Sequence, residues 1–218
     1  NNNQIYLPFM ALYLQERCNA ETFPNEEILP SAQVLLLYFI YNGTVEITTS
    51  QASKELGFTP TSISRASRQL EKLGLIQTMK TGKQKIIHSD SSPKELFERT
   101  QQKLLNPVKK TVYIPKTCVT SELLESGYFA LAHYTMLNVP QIKCFATDSI
   151  SRWKDVMTNN LLDSENQMAV EMWRYNPHLL SKEDKVDELS LALSLRDDAD
   201  ERVEAAVDEM LEKLWGKI

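Results

Sequence analysis

The chain has 218 residues, of which 42% are hydrophobic and 24% charged, a balance typical of a protein that buries a core. No apolar run approaches the roughly 20 residues that span a bilayer, and the N-terminus shows no secretory signal, so we expect a cytoplasmic protein. The three cysteines lie far apart, without a Cys-x-x-Cys pair, which argues against a zinc or dithiol site.

The formal net charge of −5 disfavours nucleic acid as a partner, but the charges are unevenly placed. Residues 44–90 carry seven basic and four acidic side chains, a net charge of +3. Residues 182–217 carry six basic and twelve acidic side chains, a net charge of −6. Because phosphate responds to the local surface charge, the acidic average does not exclude DNA.

The N-terminal segment, residues 1–30, is predicted to be a short helix followed by a loop. Residues 6–17 place apolar side chains on one helical face, with Pro8 in the first turn. Residues 19–30 are polar and contain two prolines, which is typical of a loop.

Residues 31–90 show the element order of a winged helix-turn-helix. An apolar helix is predicted at 31–41 and ends at Asn42-Gly43, residues that tolerate a left-handed backbone. The next predicted elements are a strand at 45–48, helices at 50–56 and 59–73, each closed by a glycine, and strands at 75–80 and 85–88 joined by a hairpin.

The second half is predicted to mix helices and strands. A helix at 93–105 is expected to stop before Pro107, and we place a boundary there between a DNA-binding domain (31–106) and a C-terminal domain (107–218). The other predicted elements are strands at 111–114, 142–147 and 168–175, and helices at 126–137, 185–195 and 201–215. The expected fold class is α+β, mainly α: a winged helix-turn-helix followed by an α+β domain with a smaller sheet.

The helix at 59–73 is the predicted recognition helix. Thr59 is the expected N-cap and Pro60 the first helical residue, while Ile63, Ala66 and Leu70 recur at the spacing of a buried stripe. Short hydroxyl groups allow close approach to DNA, and arginine can bind guanine or phosphate through two hydrogen bonds. Lysines around the glycine of the hairpin suit phosphate or the minor groove.

These considerations give a set of candidate DNA contacts on the helix at 50–56, the recognition helix at 59–73 and the wing. For each of them taken alone, an ordinary solvated position is the competing interpretation. The candidates are Ser50 and Gln51; Thr59, Thr61, Ser62, Ser64, Arg65, Arg68, Gln69 and Lys72; and Lys80, Lys83 and Lys85.

Residues 50–76 resemble the helix-turn-helix of MarR-type regulators, bacterial winged-helix proteins. The resemblance is carried mainly by Ser64-Arg65 and by Leu70-Glu71-x-Leu73-Gly74-Leu75-Ile76. It implies binding to a double-stranded operator, with repression as the expected outcome. Residues 126–132 and 186–215 resemble MarR-type regulators that carry a longer C-terminal domain. The pattern Ser-Gly-x-x-Ala-Leu at 126–131 is also similar to AbiEi-type antitoxins, winged-helix repressors of toxin–antitoxin operons.

The sequence offers little for enzymatic chemistry. The three histidines are isolated, no glycine-rich phosphate loop is present, and the acidic run at 197–201 lacks the glycine of a calcium loop. We therefore predict no catalytic residue, no cofactor and no metal. The alternatives that stay open are an antitoxin that binds a toxin, and a protein-interaction module whose winged helix does not bind DNA.

Partners other than DNA are also expected. The apolar N-terminal segment and the two-fold symmetry of many operators favour a homodimer. The C-terminal domain is expected to bind a protein or a small-molecule effector. The acidic face of the last helix is either a solvated surface or a surface for a basic partner.

Overall fold

The computed structural model of the protein describes residues 4–7, 12–15, 27–43, 46–82 and 84–218. Helices and small antiparallel or mixed sheets alternate along the chain, which confirms the α+β class. The elements are β1 (Gln4–Leu7), β2 (Leu12–Gln15), α1 (Pro30–Asn42), β3 (Ile47–Thr48), α2 (Thr49–Glu55), α3 (Pro60–Lys72), β4 (Gln77–Thr81), β5 (Gln84–His88), α4 (Pro93–Thr100), β6 (Val108–Pro115), β7 (Leu124–Glu125), α5 (Gly127–Tyr134), β8 (Cys144–Thr147), β9 (Gln167–Trp173), α6 (Glu188–Leu195) and α7 (Glu201–Trp215).

Residues 4–7 and 12–15 form a pair of strands, so the helix predicted at 6–17 is wrong, and most of the loop predicted at 19–30 lies outside the described residues. Strands β1 and β2 pair antiparallel, with Tyr6 opposite Tyr13 and Leu7 opposite Leu12. Each strand contains three consecutive apolar residues, Ile-Tyr-Leu and Leu-Tyr-Leu, and aromatic and branched apolar residues favour a strand.

The elements predicted for residues 31–90 are present in the predicted order. Helix α1 is apolar on almost all sides and is buried between α3 and α4, as expected for a central helix. Strands β3, β5 and β4 form a three-stranded antiparallel sheet in that order. Helices α2 and α3 are joined through Gly57, whose φ of +63° is a conformation that glycine adopts without strain.

The second half contains a four-stranded sheet in the order β6-β9-β8-β7, in which only β8 and β9 run parallel. Several predicted elements are shorter than expected. Helix α4 ends at Thr100, whose hydroxyl donates to the carbonyl of Leu96 at 2.6 Å. Helix α6 begins at Glu188 because Asp187 caps it by accepting the N–H of Ser190 at 2.9 Å.

The core is continuous across the predicted boundary at residue 107. One cluster of buried side chains includes residues of α1 and α3 together with residues of α6 and α7. The buried side chain of Gln33 in α1 accepts the N–H of Leu105 at 2.6 Å and donates to its carbonyl at 3.0 Å. Gln33 also donates to the hydroxyl of Tyr175, which contacts Ser190 of α6 at 2.9 Å. The two halves share this core. Their division into two domains stays a prediction.

Within the described ranges, no helix combines the length and the apolar character that crossing a membrane requires.

Candidate nucleic-acid interface

Helix α3 is held by its cap and by one buried face. The Thr59 hydroxyl accepts the N–H of Ser62 at 3.2 Å, and Pro60 occupies the first turn, so the helix begins where the sequence predicts. Ile63, Ala66 and Leu70 are fully buried against the rest of the fold. The opposite face of the helix therefore points away from the core.

That exposed face carries a stripe of one hydroxyl and three basic side chains, which we call the α3 stripe: Thr61, Arg65, Arg68 and Lys72. Their spacings of four, three and four residues place them on one side of the helix. Ser62 and Ser64 lie beside the stripe and are half-buried. The arrangement joins short hydroxyls near the helix start to three cations further along, as contact with bases and phosphates requires.

The cations of the α3 stripe have no acidic partner in the described part of the chain. No described carboxylate lies within 4.0 Å of Arg65, Arg68 or Lys72. The same three side chains line an open depression of about 440 Å³ together with Glu27, Leu29 and Gln69. Three cations outnumber the single carboxylate of Glu27 at this depression, so the surface has a net positive charge suited to an anion.

The wing is fixed relative to α3. The hydroxyl of Thr78 in β4 donates to the carboxylate of Glu71 near the end of α3. The amine of Lys85 in β5 donates a hydrogen bond to Oγ of the buried Ser67 in α3 at 3.2 Å. These two bonds set the hairpin against the helix, with Lys80 exposed and Gly82 (φ +62°) at the turn. Lys83 lies outside the described residues.

Five of the candidate contacts already have side-chain partners inside the protein: Thr59 and Ser62, whose hydroxyls lie 2.9 Å apart, and Gln69, Gln51 and Lys85. Gln69 accepts the N–H of Leu29 at 2.9 Å and donates to the carbonyl of Glu27 at 3.0 Å. Gln51 completes a capping box with Thr48, accepting its N–H at 3.1 Å. Gln69, Gln51 and Lys85 would have to exchange these bonds to contact DNA, whereas Ser50, Thr61 and the stripe cations would not. The bonds of Lys85 and Gln69 join residues 18 and 42 positions apart, which no local pattern indicates, whereas the Thr48–Gln51 capping box spans only three positions.

Lys54 is a further exposed cation of the helix-turn-helix that the candidate set lacks. It is exposed in the last turn of α2, and no described carboxylate forms an ion pair with it. Its contribution to the basic charge of residues 44–90 was the only sign of it in the sequence.

Thr59 has a structural role that separates it from the other candidates. We expect Thr59→Ala to lower the free energy of unfolding by about 1 kcal/mol, because the substitution removes the N-cap acceptor of α3. Thr59→Asn keeps a capping oxygen and is expected to restore most of that loss. Urea denaturation of the two variants measures both effects. Equal stability of Thr59→Ala and the unmodified chain would show that the cap contributes nothing.

No protein-family model matches the chain, and no match was found among curated proteins or solved structures. Among the described residues, no group of three or more His, Cys, Asp or Glu side chains is placed to hold a metal ion.

Proposed function

We propose that this protein is a sequence-specific DNA-binding transcriptional regulator, acting in the cytoplasm on a double-stranded operator. The α3 stripe is the observation that carries the proposal. Arg65, Arg68 and Lys72 are aligned on the exposed face of the second helix of a helix-turn-helix, without described acidic partners. In this mode the start of α3 enters the major groove while Lys80 in the wing contacts the backbone.

Repression is the outcome that this proposal favours, and the resemblance of residues 50–76 to MarR-type regulators supports it. An enzymatic role receives no comparable support. An operator with two-fold symmetry would be bound by a homodimer. A monomer mass in light scattering, both free and with DNA, would contradict the dimer.

The deciding experiment is titration of a labelled fragment from upstream of the gene, with excess unrelated DNA as competitor. Tight binding that resists the competitor is the expected result, because base contacts discriminate the operator from other sequences. Failure to bind at low salt, where phosphate contacts are strongest, would contradict the proposal.

Binding is also expected to weaken steeply with salt. If at least three stripe and wing cations contact phosphates, the logarithm of the association constant falls with the logarithm of salt concentration with a slope of about −3 or steeper per protomer. Fluorescence anisotropy between 50 and 200 mM salt, a range over which such contacts lose affinity by orders of magnitude, measures that slope. A slope near zero would exclude phosphate contacts.

An antitoxin is the second candidate, and the surface of the C-terminal half favours it. Met136 is 94% exposed and Val139 is 60% exposed on the segment after α5, and α7 presents exposed Glu201, Glu204 and Glu212. A basic toxin would complement these acidic and apolar surfaces. Co-expression with the product of the neighbouring gene tests this candidate: a stable complex of defined stoichiometry supports it, and separate elution contradicts it.

A further inference from the structure

A groove of about 590 Å³ lies between α7, the end of α6 and the residues that follow α4, and we call it the α7 groove. Its apolar floor consists of half-buried side chains that also pack against the main core: Leu195, Val207 and Leu211. Val207 and Leu211 are four residues apart and therefore lie one turn apart on the same face of α7. The α7 groove is separate from the α3 stripe, none of whose side chains line it.

The rim of the α7 groove is acidic. Four exposed carboxylates line it: Asp197, Asp198, Glu204 and Asp208. Arg196 is the only basic side chain among the described residues that line the groove. Its guanidinium is engaged within the fold, where it donates to the backbone carbonyls of Gln101 at 3.1 Å and Leu104 at 2.5 Å. Four carboxylates against one guanidinium leave an excess of three negative charges at the rim.

The two rim carboxylates on α7 have no cationic partner in the described part of the chain. No described basic side chain lies within 4.0 Å of the carboxylate of Glu204 or Asp208. Arg202, a nearby cation of α7, is held by Asp200 through hydrogen bonds of 3.1 and 2.8 Å. Glu204 and Asp208 are four residues apart, a spacing at which like charges on a helix repel each other. Cations supplied by another molecule would relieve that repulsion.

We propose that the α7 groove binds a positively charged amphipathic helix of a partner protein. Apolar side chains one turn apart on that helix lie on Leu195, Val207 and Leu211, and its lysines or arginines lie against Glu204 and Asp208. Burial of the apolar floor contributes affinity, while the complementary charge at the rim selects the partner. Because the α3 stripe does not line the groove, the inference goes beyond the proposed DNA binding and does not depend on it.

The length and the charge of the groove both favour this occupant. The α7 residues that line it extend from Glu204 to Leu211, about 10 Å along the helix axis or two turns. That length matches two successive apolar anchors of a bound helix. Nucleic acid and anionic membrane surfaces carry negative charge and are repelled by the rim. A basic segment of a protein is therefore the class of partner whose charge fits the groove.

Fluorescence anisotropy of dye-labelled peptides titrated with the full chain, in the absence of DNA, tests the groove. The probe is a peptide of about 14 residues, long enough to form a helix on binding, with leucine at helical spacing and lysine at the other positions. One matched peptide has glutamate in place of lysine, and a second has glutamine in place of leucine. We expect saturable binding of the lysine–leucine peptide and at least about tenfold weaker binding of the other two. If the lysine–leucine peptide does not bind, or the peptide without leucine binds equally well, the proposal is overturned.

A variant of the rim assigns the binding to the α7 groove. Glu204→Gln with Asp208→Asn removes two charges from exposed positions of α7 while keeping the size of both side chains. Affinity for the lysine–leucine peptide is expected to fall about tenfold, because both carboxylates lose their attraction for the lysines of the peptide. Circular dichroism checks that the variant is folded. Unchanged affinity in this variant would overturn the proposal.

The matched control is Asp148→Asn with Asp155→Asn, which removes the same charge from exposed positions that do not line the groove. It is expected to bind the lysine–leucine peptide as the unmodified chain does, and an equal loss in both variants would overturn the proposal. Because these titrations contain no DNA, a protein that binds no operator still gives a result for the groove. Conversely, a groove that binds no peptide leaves the operator titration unaffected, so the two proposals fail separately.

Discussion

Replacing Arg65 and Arg68 together with alanine is expected to weaken operator binding about 100-fold, because two charge-assisted contacts of about 1–3 kcal/mol each are lost. Both side chains lie on the exposed face of α3 and have no acidic partner among the described residues. The fold should be unaffected, since neither guanidinium packs in the core. Anisotropy titration against the upstream fragment measures the loss.

The control for this pair is Lys109→Ala with Lys110→Ala, which removes the same charge from exposed positions of β6 in the second half of the chain. Its operator affinity is expected to stay within about threefold of the unmodified protein, because distant charges are screened by salt. If the variant without the two arginines and the variant without the two lysines bind DNA equally well, the winged helix does not contact DNA. The interaction-module alternative would then replace the regulator.

Lys72 is expected to behave differently from the arginines. It lies in the last turn of α3, away from the helix start that reads bases. Lys72→Ala should therefore weaken binding to operator and unrelated DNA alike, and lower the magnitude of the salt slope by about 1. Selective loss of operator affinity would instead assign Lys72 a role in base recognition.

The second large expected effect is a loss of stability when Gln33 is replaced. Gln33→Leu should lower the free energy of unfolding by about 2–4 kcal/mol, because the backbone N–H and carbonyl of Leu105 lose their buried partner. Tyr175 keeps its contact with Ser190, so the loss is concentrated at Leu105. Urea denaturation measures the difference, with the exposed Gln102→Leu as the matched control. A change at Gln33 no larger than at Gln102 would contradict the role of the network.

The same experiment tests whether the two halves unfold together. All three tryptophans (Trp153, Trp173 and Trp215) lie in the second half, so their fluorescence reports mainly that half, with Trp215 also in contact with Phe97 of α4 at 5.7 Å between ring centres. Far-UV circular dichroism reports the helices of both halves. Because the two halves share one buried cluster and Gln33 donates to the hydroxyl of Tyr175 in the second half, both probes are expected to shift to the same lower urea midpoint. Two separate midpoints in the unmodified protein would show that the halves are independent domains.

The pattern of apolar and capping residues predicted an element correctly wherever the element's own residues decide its structure. Helix α7 spans Glu201–Trp215, as predicted, because its apolar side chains recur at helical spacing. Helix α3 begins at Pro60 after the Thr59 cap, as predicted, and its exposed stripe follows from the same periodicity. The same reasoning failed at residues 6–17, where short segments fit a helix and a strand equally well and pairing of β1 with β2 decided the outcome.

The sequence by itself determined the α+β class, the order of the elements at residues 31–90 and the basic character of the α3 stripe, because each depends on neighbours within a few positions. Only the tertiary structure decided which polar side chains are free to contact a partner and which are hydrogen-bonded within the protein. It engages Gln69 with Glu27, joins Gln33 to Leu105, and places Tyr41 against Asp187, 146 positions away. Such pairs depend on how the chain folds back on itself, and neither periodicity nor composition contains that distance information.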